Sequence, residues 1–538
     1  MLFSSYAFLF CFLPLALLAW QAAARMERPN RALERVLLFL SLVFYGFWGL
    51  DFLVLLLGMI VMNHAFGTAL AAPEGLPPDA REAAGARAAR TRRSRRRLLV
   101  AALACNLLPL LWFKYSGFLV ESAARLCGAH WAFTPPGLPL GISFYTFIQI
   151  AWLVGVYRRE VAPEGLVRHA LFTSCFFWVI SGPIVRYGQM GPQLDALAGT
   201  GAENLARGFT LLSLGLGKKV LLADSIGASA DAVFNAAGAG IAPSALEAWL
   251  GSLAYTFQLY FDFSGYTDMA LGLGLMFGLR LPENFASPYK ATGVVEFWRR
   301  WHITLGAWLR DFLYIPLGGN RRGRPRQYAN LFLTMLLGGA WHGAGWTFIL
   351  WGALHGLMLS VNHFFRARVR GTRLERLLSR APARLLCIAL TFVCIDLCWV
   401  VFRSASPDAA LTMYAAMFGA GPEVWPPLPA PDAGAGLAGF LARLDPAAPD
   451  SLLAALLPNR FFAGWLPFAL LAVCAVIVWC CPNSQELLGD GPGAAGAEGA
   501  RTRLRWRPSA AWATGLAVLT FVSLVLASRE TVFLYFQF

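Results

Sequence analysis

The stretch YANLFLTMLLGGAWHGAGWTFILWGALHGLMLSVNHFF, Tyr328 to Phe365, decides what kind of protein this chain builds. It is too long for one bilayer crossing, which takes ~20 apolar residues, so it reads as two helices, 328–342 and 345–364. As a helix, 328–342 reaches only ~22 Å. Starting at the cytoplasmic face after Arg326, it would end at Gly338-Gly339 and His342, short of the far surface. A titratable ring at membrane depth is costly, so its default reading is a working residue in a cavity. The bland alternative is a core histidine bonded to a backbone carbonyl. The flanking glycines permit close backbone approach, and Trp341 and Trp346 can wall a pocket. His355 can line the same cavity from the following helix, whereas His363 sits near that helix's cytoplasmic end.

A second histidine lies in FWRRWHITLGAWLRDF, Phe297 to Phe312. Trp298, His302, Leu305 and Leu309 recur at helical spacing, which predicts an amphipathic helix over 295–315 lying along the cytoplasmic interface. Arg299, Arg300 and Arg310 decorate its other faces, and Glu296 pairs with Arg300 at i, i+4. Taken alone, this is also the pattern of a surface helix with snorkelling arginines, in which His302 only packs.

Composition agrees with a membrane setting. The 538 residues are 57% hydrophobic and 14% charged, against about a quarter charged in soluble domains. The net charge of +15 sits in short arginine-rich loops beside apolar segments, as cytoplasmic loops require. That placement argues against nucleic acid as a partner and makes membrane lipid the surrounding medium. The ten cysteines fall mainly in apolar stretches without zinc or redox spacing, so they read as buried thiols. With no HExxH or acid-rich cluster, no metal site is expected, and no cofactor is expected to be bound.

Candidate spans are 2–20, 36–49, 52–70, 98–120, 140–157, 203–222, 244–262, 264–281, 328–342, 345–364, 385–403, 461–481 and 510–528. The basic loops Arg25–Arg35, TRRSRRR (Thr91 to Arg97), 366–384 and 501–507 give one orientation from both ends, with an outer-face loop at 404–459. The chain reads as one integral membrane domain, 1–538. Within it, 1–130 holds amino-terminal helices and a basic loop, 131–365 a catalytic core, and 366–538 carboxyl-terminal helices. Two segments break the pattern, 328–342 and 170–181. Residues 170–181 (ALFTSCFFWVIS) are apolar but too short to span between Arg168 and Arg186, which predicts a re-entrant hairpin at Ser181-Gly182-Pro183, buried in protein. Among intramembrane polar groups, Asp262 and Asp268 can orient histidines or hold cations, or serve as paired structural polars. Ser264 lacks a nucleophile elbow, and Gly274 and Gly278 offer a small-residue packing face.

These residues also resemble a known family. Phe261 to Gly319, followed by GGAWHGAGWTFILWGALHG, is similar to the membrane-bound O-acyltransferases, and within them to the bacterial alginate O-acetylation branch. LPLGISFYTF (Leu138 to Phe147), SGPIVRY (Ser181 to Tyr187), GLGKKVLLADSI (Gly215 to Ile226) and the terminal FLYFQF extend the similarity over nearly the whole chain. Gly155 departs from it, since the family usually carries Asp there. The resemblance implies an all-α polytopic fold, with re-entrant and interfacial helices around a central funnel, in a bacterial inner membrane. It implies two catalytic histidines, His342 as the principal one and His302 as its partner. The donor would be a cytoplasmic acyl thioester, acetyl-CoA or a carrier-protein thioester, and periplasmic acetyltransferase partners would complete transfer to a polysaccharide. Arg299, Arg300, Arg310, Arg321 and Arg322 would then attract an anionic donor. Trp298, Trp341, Trp346, Asp262, Asp268 and His355 would line the cavity. The rival expectation is a transporter or polysaccharide export subunit without acyl-transfer chemistry, although no inverted repeat of broken helices is apparent. A third is a purely structural partner in a polymer-modifying complex. The acceptor, whether alginate, cellulose, peptidoglycan or another glycan, stays open at this point.

Overall fold

The computed structural model describes residues 1–71, 84–421, 461–462, 465–489, 505–527 and 534. Most of the outer-face loop at 404–459, part of the basic loop at 501–507 and most of the terminal FLYFQF lie outside them. Among the described residues the structure is helical, with no strand. Four helices are long and apolar enough to cross a membrane: Leu50–Leu70, Arg93–Leu126, Trp346–Val369 and Ala381–Arg403. Ala7–Ala23, Leu466–Cys480 and Ala510–Leu526 are shorter apolar helices. Outward-facing side chains on these elements are themselves apolar, with Leu18, Leu50 and Leu386 each about two-thirds exposed or more. Lipid, not water, is the solvent that tolerates such a surface.

The chain divides into two compact units, one formed by Met1–Gly215 with Tyr266–Asn284 and the other by Leu216–Gly265 with Phe285–Phe538. The first is built on an aromatic cluster. Phe3, Phe8, Phe12, Phe44 and Phe176 pack in stacked, tilted and edge-on pairs at centroid separations of 5.1–6.5 Å. Phe277 joins it through Phe176 and Phe177. The helix Leu166–Ser174 stops at Cys175, and the chain turns through Ser181-Gly182-Pro183 before resuming helix at Tyr187. Every residue from His169 to Val185 is buried, as the hairpin reading requires. Two of its polar groups find partners: Phe176 N–H donates to Ser41 Oγ at 3.2 Å, and Trp178 Nε1 to the Phe172 carbonyl at 2.9 Å. Arg168 anchors the entry by pairing with Glu34 at 2.6 Å and with Asp195.

Several details differ from the sequence reading. The two spans expected at 244–262 and 264–281 form one helix of 32 residues, Ala245–Met276. Phe263-Ser264-Gly265 does not break it, because glycine and serine are weak breakers when neighbouring packing holds the backbone. Gly278 lies past the end of that helix with φ +74°, acting as a terminator and not as part of a packing face. The close approach is at Gly272 instead, where a methyl group would meet the Gly208 carbonyl at 2.5 Å. Finally, the helix that ends in His342 begins at Gly323 and has 20 residues, so it reaches ~30 Å rather than ~22 Å. Pro325 falls in its first turn, where a missing N–H costs nothing.

Candidate active site

The predicted continuous helix at 295–315 is broken at its centre. Val294–Arg300 and Ile303–Leu309 are separate helices, and the second runs into a π-helical turn at Arg310–Tyr314. Between them Trp301 is extended and His302 has φ 44°, ψ 54°. A non-glycine residue in the left-handed region is uncommon and carries strain that surrounding structure must hold. Here Ala286 N–H donates to the Arg300 carbonyl at 2.9 Å, and Gly306 N–H to the His302 carbonyl at 3.0 Å. The kink buries His302 completely, with its ring edge-on to Phe263 at 4.8 Å.

His342 is the last residue of its helix, and Gly343 and Gly345 continue in extended conformation to the Trp346–Val369 helix. The two helices pack backbone to backbone, since a methyl group on Gly339 would lie 2.8 Å from Gly352 Cα and one on Gly356 would lie 2.8 Å from Phe332 Cα. That contact fixes His342 against the next helix. Its ring is 7% exposed and lies edge-on to Trp351 at 5.1 Å and to Phe402 at 5.4 Å. Trp351 stacks near Trp399 at 5.7 Å, and Trp399 meets Trp301 at 5.1 Å, the residue before His302. Both histidines thus belong to one unit; His342 abuts the aromatic layer directly, whereas His302 is tied to it through its chain neighbour Trp301, and Trp351, Trp399 and Phe402 of that layer were not singled out in the sequence. Their signal was the spacing of Trp351 and His355, one helical turn apart on a shared face.

His355 is fully buried. Trp298 Nε1 donates to its Nδ1 at 3.2 Å, and its ring lies 4.6 Å from Trp351. Its Nε2 and the Trp351 Nε1 have no hydrogen-bond partner among the described residues. An unmet buried donor costs about 1–3 kcal/mol, so two on adjacent rings are a costly arrangement.

The remaining candidates are distributed differently. Trp341 is buried beside His342, and Trp346 is 52% exposed. Arg300 pairs with Glu296 at 2.7 Å, as the i, i+4 spacing indicated, while Arg310 pairs with Asp311. Burial would raise the Glu296 carboxyl, but hydrogen bonds from Thr292 and the Arg300 charge outweigh it and hold the group below its usual range. Arg299, Arg321 and Arg322 are exposed. Asp262 is an ion-pair partner: Lys219 Nζ lies 2.7 Å from Asp262 and 2.7 Å from Asp224, and Leu534 N–H donates to Asp262 at 3.0 Å. Asp268 belongs to the other compact unit from both catalytic candidates. Asp396 accepts from Ser252 at 3.0 Å and Thr256 at 2.7 Å. Among the described residues no group of three His, Cys, Asp or Glu side chains could hold a metal.

The other unit contains a polar cluster that sequence reasoning did not single out. His169 is wholly buried, 4.1 Å from the Trp152 ring and 5.7 Å from His64. Neither of its ring nitrogens has a hydrogen-bond partner among the described residues.

The chain belongs to the membrane-bound O-acyltransferase family, whose profile matches residues 145–395, and it is a multi-pass membrane O-acyltransferase. It is 41% identical over 428 residues to the probable alginate O-acetylase AlgI of Pseudomonas aeruginosa, covering 78% of this chain and 75% of that one. It is 37% identical over 446 residues to the peptidoglycan O-acetyltransferase of Helicobacter pylori, covering 78% and 80%. A more distant similarity, 29% over 241 residues, joins it to the teichoic acid D-alanyltransferase of Bacillus subtilis, covering 42% and 59%.

Proposed function

We propose that this protein takes acetyl groups from a cytoplasmic thioester, acetyl-CoA, and passes them across the inner membrane for O-acetylation of an extracytoplasmic polysaccharide. The observation that carries the reading is the 41% identity to an alginate O-acetylase over three-quarters of both chains, with His342 held at a helix end inside the matched family region. An alginate-like polymer is the favoured acceptor. Periplasmic acetyltransferase proteins complete the transfer.

In this mechanism His342 is the general base on an acceptor hydroxyl, a task suited to an imidazole. The hydroxyl oxygen attacks the thioester carbonyl carbon as His342 takes its proton. The carbonyl oxygen becomes an oxyanion, then the C–S bond breaks and the thiolate leaves with the proton returned by the imidazolium. His302 is the partner, binding or polarising the thioester carbonyl or assisting proton transfer. Exposed Arg299, Arg321 and Arg322 draw the anionic donor to the cytoplasmic mouth.

The test is acetyl-CoA turnover by the full-length protein purified in detergent, together with polymer acetylation in cells. Wild type is expected to turn over acetyl-CoA, and His342→Ala to fold and lose both activities. A folded His342→Ala protein that acetylates polymer undiminished overturns the assignment.

A further inference from the structure

We propose that His355 is a further catalytic residue, whose Nε2–H donates to the acyl carbonyl oxygen during transfer. The argument begins with Trp298. An indole nitrogen is only ever a donor, so the His355 Nδ1 that it meets at 3.2 Å is the acceptor. A neutral imidazole with Nδ1 accepting carries its proton on Nε2. The bond therefore fixes both the tautomer and the plane of the ring. Trp298 is itself held by the small apolar cluster of Val294, Val295, Met335 and Leu359, against which it packs.

The donor so prepared has nothing to donate to. Nε2 of His355 is buried and without a partner among the described residues, and so is Nε1 of Trp351, whose ring lies 4.6 Å away. Trp351 in turn is edge-on to His342 at 5.1 Å. Trp351 thus stands against the proposed base and His355 against Trp351, and neither N–H has an oxygen to receive it among the described residues. Acyl transfer creates such an oxygen. When the acceptor hydroxyl adds to the thioester carbon, the carbonyl π electrons move onto oxygen, and a preorganised donor in a dry site stabilises that charge far better than water does. The charge disappears when the C–S bond breaks, so the donor is needed only in the transition state. Trp351 supplies the second donor.

This inference rests on the reading of His342 as base, and the variants separate the two. In the full-length detergent-purified protein, with acetyl-CoA as the probe, His355→Phe keeps the ring and removes the N–H. It is expected to lower kcat by about 10²-fold, with KM for acetyl-CoA and the thermal melt near those of wild type. His355→Gln restores a donor amide and is expected to recover most of that loss. Wild-type kcat in a folded His355→Phe protein overturns the proposal, while an inactive His342→Ala protein leaves the base reading standing. Equal losses in the Phe and Gln variants, at an unchanged melt, also overturn it, because the ring and not the donor would then matter. If His355→Phe does not fold, His355→Gln decides: activity close to wild type supports the donor role, and inactivity equal to that of His342→Ala overturns it.

Discussion

Gly339 and Gly352 meet so closely that a methyl group on the first would lie 2.8 Å from the α-carbon of the second. Their helices carry His342 and His355, so this contact sets the spacing of the aromatic layer between the two imidazoles. Gly339→Val is expected to push the helices apart, lowering acetyl-CoA turnover at least tenfold in protein that still assembles. Overpacking of this kind costs about 1–3 kcal/mol, so the thermal melt should fall as well. Unchanged turnover would show that the hairpin spacing does not govern the site.

His302 offers a way to separate backbone from side chain. Its φ of 44° is a conformation that glycine adopts freely. His302→Gly should therefore keep the kink and the thermal melt while removing the imidazole. His302→Ala keeps the left-handed strain that the histidine already carries and should be less stable than His302→Gly by about 1 kcal/mol. If the imidazole partners His342, both variants lose activity. An active His302→Gly enzyme would reduce the residue to a packing role.

Lys219 is wedged between Asp262 and Asp224, with only 5% of its side chain exposed. Removing it leaves a buried carboxylate unpaired, a loss of about 3–5 kcal/mol. Lys219→Met is expected to fail to accumulate or to melt well below wild type. Pairing it with Asp262→Leu should restore part of the loss, because no charge is then stranded. Equal melts for the single and double variants would contradict this account.

Glu296 titrates with a predictable sign. Its folded carboxyl is held below the ordinary value of 4.5 by Thr292 and Arg300, so it adds stability above that value and loses it as pH falls through the lower folded one. Glu296→Gln should melt below wild type at neutral pH, with the gap closing under acid conditions. A gap that widens in acid would reverse the sign and refute the assignment. Partial exposure and salt screening keep the effect small.

Much of the helical architecture was legible in the chain because apolar runs report directly on burial. The hairpin after Arg168 and the Glu296–Arg300 pair could be read from length and spacing alone. The kink at Trp301-His302 could not, since neither residue is a helix breaker and the bend depends on Ala286, brought in from outside the segment. The continuity of Ala245–Met276 was hidden for the opposite reason: Ser264-Gly265 looks like a break, and only tertiary packing overrides it. Trp346 faces outward because the connector through Gly343 and Gly345, both extended, sets the register of the next helix, and glycine dihedrals carry no trace in composition. Asp262 was ambiguous until Lys219, 43 positions upstream, was seen beside it.

The buried stretch from His169 to Val185 bears on how the molecule is made. It is too short to be stitched into a bilayer as an ordinary crossing, and its interior imidazole would be stranded in bare lipid. Its berth exists only once the surrounding rods have been laid down. Docking of this loop is therefore expected to follow the packing of the helices that cover it.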